Sequence, residues 1–335
     1  MEMLSTSDAD IERAAAALQA GLLVAFPTET VYGLGADAFS PAALAKVFEA
    51  KNRPRFDPLI IHIAEHEALW RIADAAALDR DSLQRLSLLS QRLWPGPLTL
   101  ILPKRPEVPD LATSGLPTAA VRFPSHPAAR QLILRSTGAV AAPSANPFGC
   151  LSPTRAEHVA AQLGEKVDYI IDGGRAAVGV ESTVLDISSG TPRILRPGGT
   201  SRETIEALIG SVEFEFGASA GEAGSGDLPA SPGQLKSHYA PRTRLVLFRG
   251  GELASLPEAP GEGRLYFAPP AQTNAAGGSS RTLSASGNLT EAAANLFDML
   301  HELDGLGLER ILAEEAPQHG LGVAINDRLR RAENS

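Results

Sequence analysis

The sequence predicts an α/β protein with two domains, the first built on an open sheet and the second on a smaller doubly wound unit. Short apolar runs alternate with stretches of helical periodicity along most of the chain. Residues 217–230 consist mostly of Gly, Ala, Ser, Glu and Pro, a composition that cannot bury a core and is typical of a linker. We therefore expect domains at residues 1–216 and 243–335, joined by a linker over residues 217–242.

Length, charge and cysteine content exclude several classes of protein. The chain has 335 residues, a net charge of −9 and one cysteine, Cys150. The net charge argues against a protein that coats nucleic acid. No apolar run approaches the roughly 18 residues of a membrane span, so we expect no membrane contact. One cysteine cannot form an internal disulfide, which agrees with a reducing compartment, and we expect a cytoplasmic location.

The first strand, over residues 22–26, runs into a polar segment at residues 27–35. This segment, Pro-Thr-Glu-Thr-Val-Tyr-Gly-Leu-Gly, has three hydroxyl groups, one carboxylate and two glycines. Because open α/β sheets bind ligands beyond the ends of their strands, we interpret it as a loop and as the first candidate for a substrate site. Its glycines do not fit a dinucleotide fingerprint, since they do not follow the strand directly and the next helix begins only at Ser40.

The other elements follow from apolar periodicity, capping residues and breaks at glycine or proline. Gly21 ends the first helix, Ser40 and Pro41 begin the second, and residues 94–97 end the third. Capping boxes at residues 154–157 and 200–203 begin two later helices. The predicted helices cover residues 8–20, 42–50, 79–93, 127–136, 155–163, the stretch up to 209, 290–303 and 322–331. The predicted strands cover residues 22–26, 58–64, 98–102, 119–123, 139–142, 169–172, 182–187, 193–195, 212–216, 245–248, 265–267 and 311–313.

A basic cluster follows the second helix. It contains Lys46, Lys51, Arg53 and Arg55. Such a cluster often forms a solvated helix terminus that complements the helix dipole. Here a proline-rigidified turn holds the charges, and the next strand brings His62 into the same neighbourhood. The alternative is therefore that these cations bind a polyphosphate.

Two further strand ends carry polar side chains. Arg122 lies near the end of the strand over residues 119–123, where it could pair with a structural carboxylate or receive a substrate carboxylate. Ser144 and Asn146 follow the strand over residues 139–142. They could form an ordinary turn, or they could direct a hydroxyl and an amide at a ligand.

Seven ordered blocks resemble the YrdC-type L-threonylcarbamoyladenylate synthases. They lie at residues 27–35, 51–54, 58–62, 94–99, 121–127, 142–146 and 181–184. Three later features, at residues 231–233, 238–241 and 326–329, are similar to the longer, two-domain form of that family. The resemblance implies an open, twisted, mixed sheet in the catalytic domain and a Rossmann-like α/β C-terminal domain.

The resemblance also implies a reaction and its partners. L-threonine, bicarbonate and ATP would give threonylcarbamoyl-AMP and pyrophosphate, for threonylcarbamoylation of the adenosine beside the anticodon of tRNA. A threonylcarbamoyl-transferase complex would consume the product, and weak RNA contact is conceivable. Mg²⁺ would bridge the phosphates of ATP without dedicated protein ligands.

The same resemblance implies roles for individual residues. Residues expected to contact ATP are Lys51, Arg53, Asp57, Thr118, Ser144, Ser152, Arg196 and Tyr239. Residues expected to contact L-threonine are Thr30, His62, Arg122, Ala142 and Ser182. The catalytic set is Lys51, Arg53, Ser144 and Asn146. Asp57 stands where the family often has Asn, and it could instead orient Arg53 or Mg²⁺. Tyr239, in the linker, would reach back over the nucleotide, while Glu29 and Tyr32 would shape the loop.

Two rival functions fit the sequence less well. A non-catalytic RNA-binding factor would also use a cationic concave surface, but it has no need for a buried set of groups matched to an amino acid. A carbamoyl-transfer domain of the same fold, as in hydrogenase maturation, is normally accompanied by a zinc finger, which one cysteine cannot build.

Overall fold

Two sheets organise the chain. The computed structural model describes residues 1–214, 238–270 and 279–334. Within these residues the strands form one mixed sheet of eleven strands and one parallel sheet of four. The predicted α/β class and the mixed and Rossmann-like sheets are therefore confirmed.

The element bounds agree with most of the predicted ones to within about two residues. The α-helices are α1 Asp8–Gln19, α2 Pro41–Lys51, α3 Arg80–Leu93, α4 Asp110–Thr113, α5 Pro127–Arg135, α6 Ala156–Leu163, α7 Arg202–Ile209, α8 Leu289–Asp304 and α9 Gly322–Glu333. The strands are β1 Glu2–Leu4, β2 Val24–Phe26, β3 Gly33–Asp37, β4 Ile60–Ile63, β5 Leu98–Pro103, β6 Thr118–Arg122, β7 Ala139–Ala141, β8 Tyr169–Ile171, β9 Thr183–Asp186, β10 Arg193–Arg196, β11 Glu213–Phe214, β12 Arg244–Phe248, β13 Glu262–Tyr266, β14 Ser280–Thr282 and β15 Arg310–Glu314.

The large sheet has the strand order β1-β8-β2-β3-β7-β4-β6-β5-β9-β10-β11. β8 pairs in parallel with both β1 and β2. In the centre, β4 is parallel to β6 and antiparallel to β7, which brings His62 opposite Arg122. Because side chains alternate along a strand, Ile61 and Ile63 enter the main core while Ile60 and His62 face the other side of the sheet. That second face carries the candidate site.

The prediction of a loop over all of residues 27–35 is wrong at its end. Residues 33–35 begin β3, which pairs antiparallel with β2. A Cβ at Gly35 would lie 2.8 Å from the Phe26 ring and 2.9 Å from Val140. These glycines therefore allow close strand packing.

Both predicted capping boxes name the wrong N-cap residue, Thr154 in the first and Thr200 in the second. The N-cap of α6 is Arg155, whose side chain makes no capping bond, and Thr154 lies against His158 instead. The N-cap of α7 is Ser201, because the Thr200 hydroxyl donates to the backbone oxygen of Pro97. Thr154 is held by a local contact with the first turn of its helix and Thr200 by a tertiary contact, so each helix begins one residue later.

The C-terminal sheet has the strand order β12-β15-β13-β14. Its apolar cluster, which includes Phe297 of α8, continues into the catalytic domain through Val31, Leu151 and Val180. The domain limits at residues 216 and 243 stay predictions. Most of the predicted linker, and with it the motif at residues 231–233, lies outside the described residues. None of the described helices is long and apolar enough to cross a membrane.

Candidate active site

A cavity of about 50 Å³ lies on the second face of the large sheet. The two predicted polar loops meet beside it, because Leu34 N donates to Pro143 O and Ala145 N donates to Tyr32 O, each at 2.8 Å. The predicted site residues that line the cavity are Thr30, Arg53, His62, Arg122, Ala142, Ser144, Ser182, Arg196 and Tyr239. The cavity therefore joins the residues expected to contact ATP with those expected to contact threonine.

Four predicted residues lie one contact behind the lining. Lys51 and Asn146 meet at the Ser144 loop, and Ser152 reaches the cavity through Glu181. Asp57 likewise lies behind Arg53. Thr118 shares the cavity face of β6 but lies four residues from Arg122, about 13 Å along the strand. Its expected contact with ATP stays a prediction that the cavity lining does not support.

Thr28 organises the first loop. Its hydroxyl donates to Val31 O at 2.6 Å and lies 2.9 Å from the hydroxyl of Thr30. Since the single Thr28 proton is directed at Val31, Thr30 donates to Thr28 and presents its lone pairs to the cavity. The Tyr32 hydroxyl donates to Gly174 O at 2.7 Å, and burial raises the pKa of this tyrosine. Thr28 and Tyr32 thus fix the loop that presents Thr30.

Glu29 holds Arg122 in place. Its Oε1 accepts from Arg122 Nη2 at 2.8 Å, and its Oε2 accepts from Ser125 N at 3.1 Å. The structural carboxylate that the sequence allowed for Arg122 is therefore present. Arg122 Nε is buried and has no hydrogen-bond partner among the described residues. This arginine can consequently pair with Glu29 and still donate to a ligand carboxylate.

His62 is a neutral imidazole at the floor of the cavity. Burial, together with the charge of Arg122, lowers its pKa to about 3. Its Nδ1 lies 3.1 Å from Ile60 O. An uncharged ring beside Arg122 adds no repulsion to a ligand ammonium group.

Lys51 and Arg53 are buried, with 1% and 7% of their surfaces exposed. The interpretation of these two residues as a solvated helix terminus is therefore wrong, although Lys46 and Arg55 are exposed. Asn52 ends α2 in the left-handed conformation, with φ of 51°, and so turns the chain back towards the sheet. This turn places both cations beside the cavity.

Backbone oxygens hold the two cations. Lys51 Nζ donates to Ser144 O at 2.5 Å and to Asn146 O. Arg53 donates to Asp57 O and Pro58 O and pairs with Asp57 Oδ2 at 2.8 Å. This pair agrees with the suggestion that Asp57 orients Arg53, and the role of Asp57 stays a prediction. Burial, and then the charge of Arg53, lower the pKa of Lys51 well below its ordinary value.

Glu181, Arg328 and His238 are parts of the site to which the sequence assigned no role. Glu181 and His238 line the cavity, and Arg328 reaches Glu181 from α9. The motif at residues 326–329 was visible, but its partners in the catalytic domain lie more than 130 positions earlier. Only an expectation of how the domains dock could have placed Arg328 here.

No group of three or more His, Cys, Asp and Glu side chains that could hold a metal occurs in residues 1–214, 238–270 and 279–334. The carboxylates nearest the cavity, Glu29, Asp57 and Glu181, each pair with an arginine. This donor set does not fit a metal ion held by the protein alone.

Known proteins of one family match nearly the whole chain. A family model described as "Telomere recombination", covering Sua5, YciO and YrdC proteins, matches residues 16–198. A second, described as "Threonylcarbamoyl-AMP synthase, C-terminal domain", matches residues 200–333. The chain is 41% identical to the threonylcarbamoyl-AMP synthase of Bacillus subtilis, over 98% of this chain and 94% of the relative. It is also 41% identical to that of Pyrococcus abyssi, over 96% of this chain and 93% of the relative.

The solved structure of P. abyssi Sua5 complexed with L-threonine has a TM-score of 0.89 to this chain at 38% identity. The match covers all of this chain and 98% of that one. The similarity therefore extends over both domains.

Proposed function

The chain belongs to the threonylcarbamoyl-AMP synthase family, in its two-domain form, and we propose that the cavity on the second face of the sheet holds L-threonine beside the α-phosphate of ATP. The observation that carries this proposal is the meeting of Arg122, Thr30 and Arg53 at one cavity. The amine of threonine takes up bicarbonate as a carbamate, with loss of water. A carbamate oxygen then attacks the α-phosphorus, and pyrophosphate leaves.

Threonine fits the end of the cavity that holds Arg122. The free Nε of Arg122 donates to the substrate carboxylate, while Glu29 fixes the guanidinium through Nη2. The lone pairs of Thr30 accept from the amino group. His62, being neutral, and Ala142 complete this end without adding charge. These contacts place the nitrogen that becomes carboxylated towards the phosphate end.

The phosphate end is cationic. Lys51, Arg53 and Arg196 are all buried there, and they neutralise the charge that develops as pyrophosphate departs. Ser144 contributes from the loop that Lys51 fixes. Since all three cations are held by backbone oxygens or carboxylates, they require little rearrangement during the reaction.

The cavity must open for ATP to enter. Its volume of about 50 Å³ is far below the roughly 300–1,000 Å³ of typical small-molecule sites. Tyr239 lines it and is 1% exposed, and Ala240 N donates to Gly149 O at 2.8 Å. We infer that the segment at residues 238–240 moves aside for ATP and then closes, which protects the short-lived carbamate from water.

Mg²⁺, if it takes part, is carried by the ATP phosphates, because the nearby carboxylates are already paired. The chain's residues bind and orient the substrates without it. The transferase partner, weak RNA contact and cytoplasmic location stay predictions.

The decisive experiment measures pyrophosphate release from ATP with L-threonine and bicarbonate supplied together or singly. Release should require both. Release that is independent of threonine, or no release from folded protein, would contradict the proposal. L-serine is a matched control, since it lacks only the methyl group of threonine, and we expect it to react about 10-fold less efficiently.

A further inference from the structure

Arg328 of α9 connects the C-terminal domain to Glu181, which lines the cavity. The Arg328 side chain is 0% exposed. Nε donates to Glu181 Oε2 at 2.7 Å, Nη2 donates to Pro197 O at 2.9 Å, and Nη1 contacts Asp327. Each arm of the guanidinium is therefore engaged, and two of the three partners belong to the catalytic domain.

Glu181 connects Arg328 to the nucleotide end of the cavity through Ser152. Its Oε1 accepts from the Ser152 hydroxyl at 2.5 Å, and Ser152 is one of the residues expected to contact ATP. Burial alone would raise the pKa of Glu181, but Arg328 and Arg196 together lower it. The carboxylate is thus charged and has both oxygens occupied, one by each domain.

Arg328 also fixes the residue that covers the cavity. Its guanidinium carbon lies 4.9 Å from the centre of the Tyr239 ring, a cation–π distance. Tyr239 has φ of 66°, a conformation that a bulky residue adopts only when its surroundings enforce it. Phe297 of α8 packs on the same ring at 5.8 Å. The C-terminal domain therefore supplies the surface on which Tyr239 rests.

We propose that Arg328 is a positioning residue for the nucleotide: it orients Glu181, and through it Ser152, and it holds Tyr239 over the cavity. This inference rests on the proposed function. It assigns the C-terminal domain an indirect part in ATP binding, through residues that line or adjoin the cavity. The threonine end is largely independent of this contact, since Arg122 is fixed by Glu29.

The first test compares Arg328→Met with Arg155→Met in the full-length chain. Arg155 makes a second interdomain pair, with two bonds to Asp298 at 2.7 and 3.0 Å, and Asp298, unlike Glu181, does not line the cavity. The probe is α,β-methylene ATP, whose α–β bridge cannot be cleaved, measured by titration calorimetry. We expect Arg328→Met to raise its Kd about 10- to 100-fold. We expect Arg155→Met to change it less than about threefold, and both variants to keep the Kd for L-threonine within that limit. Equal changes in the two variants would overturn the proposal.

The second test separates positioning from stability. Arg328→Met leaves the Glu181 charge buried with one partner fewer, which destabilises the fold. Arg328→Met/Glu181→Gln removes both charges, so its thermal unfolding temperature should recover. Its Kd for the ATP analogue should stay raised, because the glutamine has lost its anchor. Recovery of affinity together with stability would show a purely structural role and overturn the proposal.

The outcomes also separate this inference from the proposed function. If the unchanged chain shows no threonine-dependent pyrophosphate release, the proposed function fails. If it shows that release but Arg328→Met binds the ATP analogue like Arg155→Met, only the role of Arg328 fails.

Discussion

Lys51 illustrates how much of the site depends on charges held inside the protein. Desolvation favours the neutral amine, whereas a phosphate group would favour the ammonium form. Its two backbone acceptors, in the loop of Ser144 and Asn146, keep the nitrogen in place before any substrate arrives. A buried lysine of this kind contributes to the stability of the fold and, through its charge, to catalysis. The two contributions can be measured separately.

We expect Lys51→Ala to lower turnover far more than stability. Loss of its charge at the departing pyrophosphate should reduce the rate of release more than about 100-fold. The two carbonyl groups left without their donor should cost about 1–3 kcal/mol of unfolding free energy, measured in urea. Lys46→Ala, at an exposed lysine of the same helix, is the control. A stability loss that accounts for the whole loss of turnover would contradict the catalytic role.

We expect Glu29 to affect the binding of L-threonine and not that of ATP. Glu29→Gln keeps the size of the side chain but weakens its bonds to Arg122 and Ser125. We expect the KM for L-threonine to rise about 10-fold, since a charge-assisted hydrogen bond contributes about 1.5–3 kcal/mol. The KM for ATP should change little. Steady-state assays with each substrate varied in turn measure both constants, and an equal rise in the two would exclude a role confined to the threonine end.

The sequence predicted the residues of the site that lie within short motifs, such as Thr30, Lys51 and Ser144. It did not predict that Lys51 and Arg53 are buried, because a helix end with several cations is ordinarily solvated. It also gave no role to Glu181 or Arg328. Their partners are set by the docking of two domains, and no local pattern encodes that contact.

At the scale of elements, β3 shows why glycine is ambiguous in a sequence. Gly33 and Gly35 follow a polar segment, and by composition they indicate a loop. In the structure they face the Phe26 ring across the pair of strands β2 and β3. The predicted strands with β-branched or aliphatic side chains were correct because burial demands those residues. β1, β3 and β14 were missed because they are short, exposed or rich in glycine.

We expect Gly35→Ala to destabilise the catalytic domain. The new Cβ would lie 2.8 Å from Phe26 and 2.9 Å from Val140, so the sheet would have to shift. Overpacking of this kind costs about 1–3 kcal/mol. Gly250→Ala is the control, since the nearest atom to its Cβ is 3.7 Å away. Urea unfolding of both variants measures the difference, and equal effects would refute the close-packing explanation.

At the scale of the whole molecule, the domain interface contains a pair of stacked histidines. His158 of α6 and His301 of α8 have ring centres 3.9 Å apart. Burial, and then the neighbouring His301, lower the pKa of His158 to about 4, although Asp298 opposes this shift. Burial likewise lowers the pKa of His301. Both rings are therefore neutral in the folded chain at pH 7, and protonation opposes their stacking.

The stability of the interface should depend on pH. Between the ordinary pKa of 6.5 and about 4, the unfolded chain binds a proton at His158 that the folded chain does not. This contribution to stability is fully present above pH 6.5 and is lost as the pH falls towards 4. Thermal unfolding at pH 7.5, 6.0 and 5.0 should show a smaller decrease for His158→Gln than for the unchanged chain. His319 is exposed, and the unfolding temperature of His319→Gln should decrease with pH as much as that of the unchanged chain. Identical curves for all three would contradict the prediction.

The strand order of the large sheet has a consequence for how the chain folds. β8 lies between β1 and β2, so β1 gains its neighbour only when residues 169–171 are available. β2 and β3 can pair early as a local hairpin, but one edge of β2 remains open until then. On a ribosome this edge would stay exposed while about 140 further residues are made, which takes roughly 7–28 s at 5–20 residues per second. We therefore expect the catalytic domain to fold late in synthesis, and its non-local pairing to make it slower to form than the sheet of the C-terminal domain.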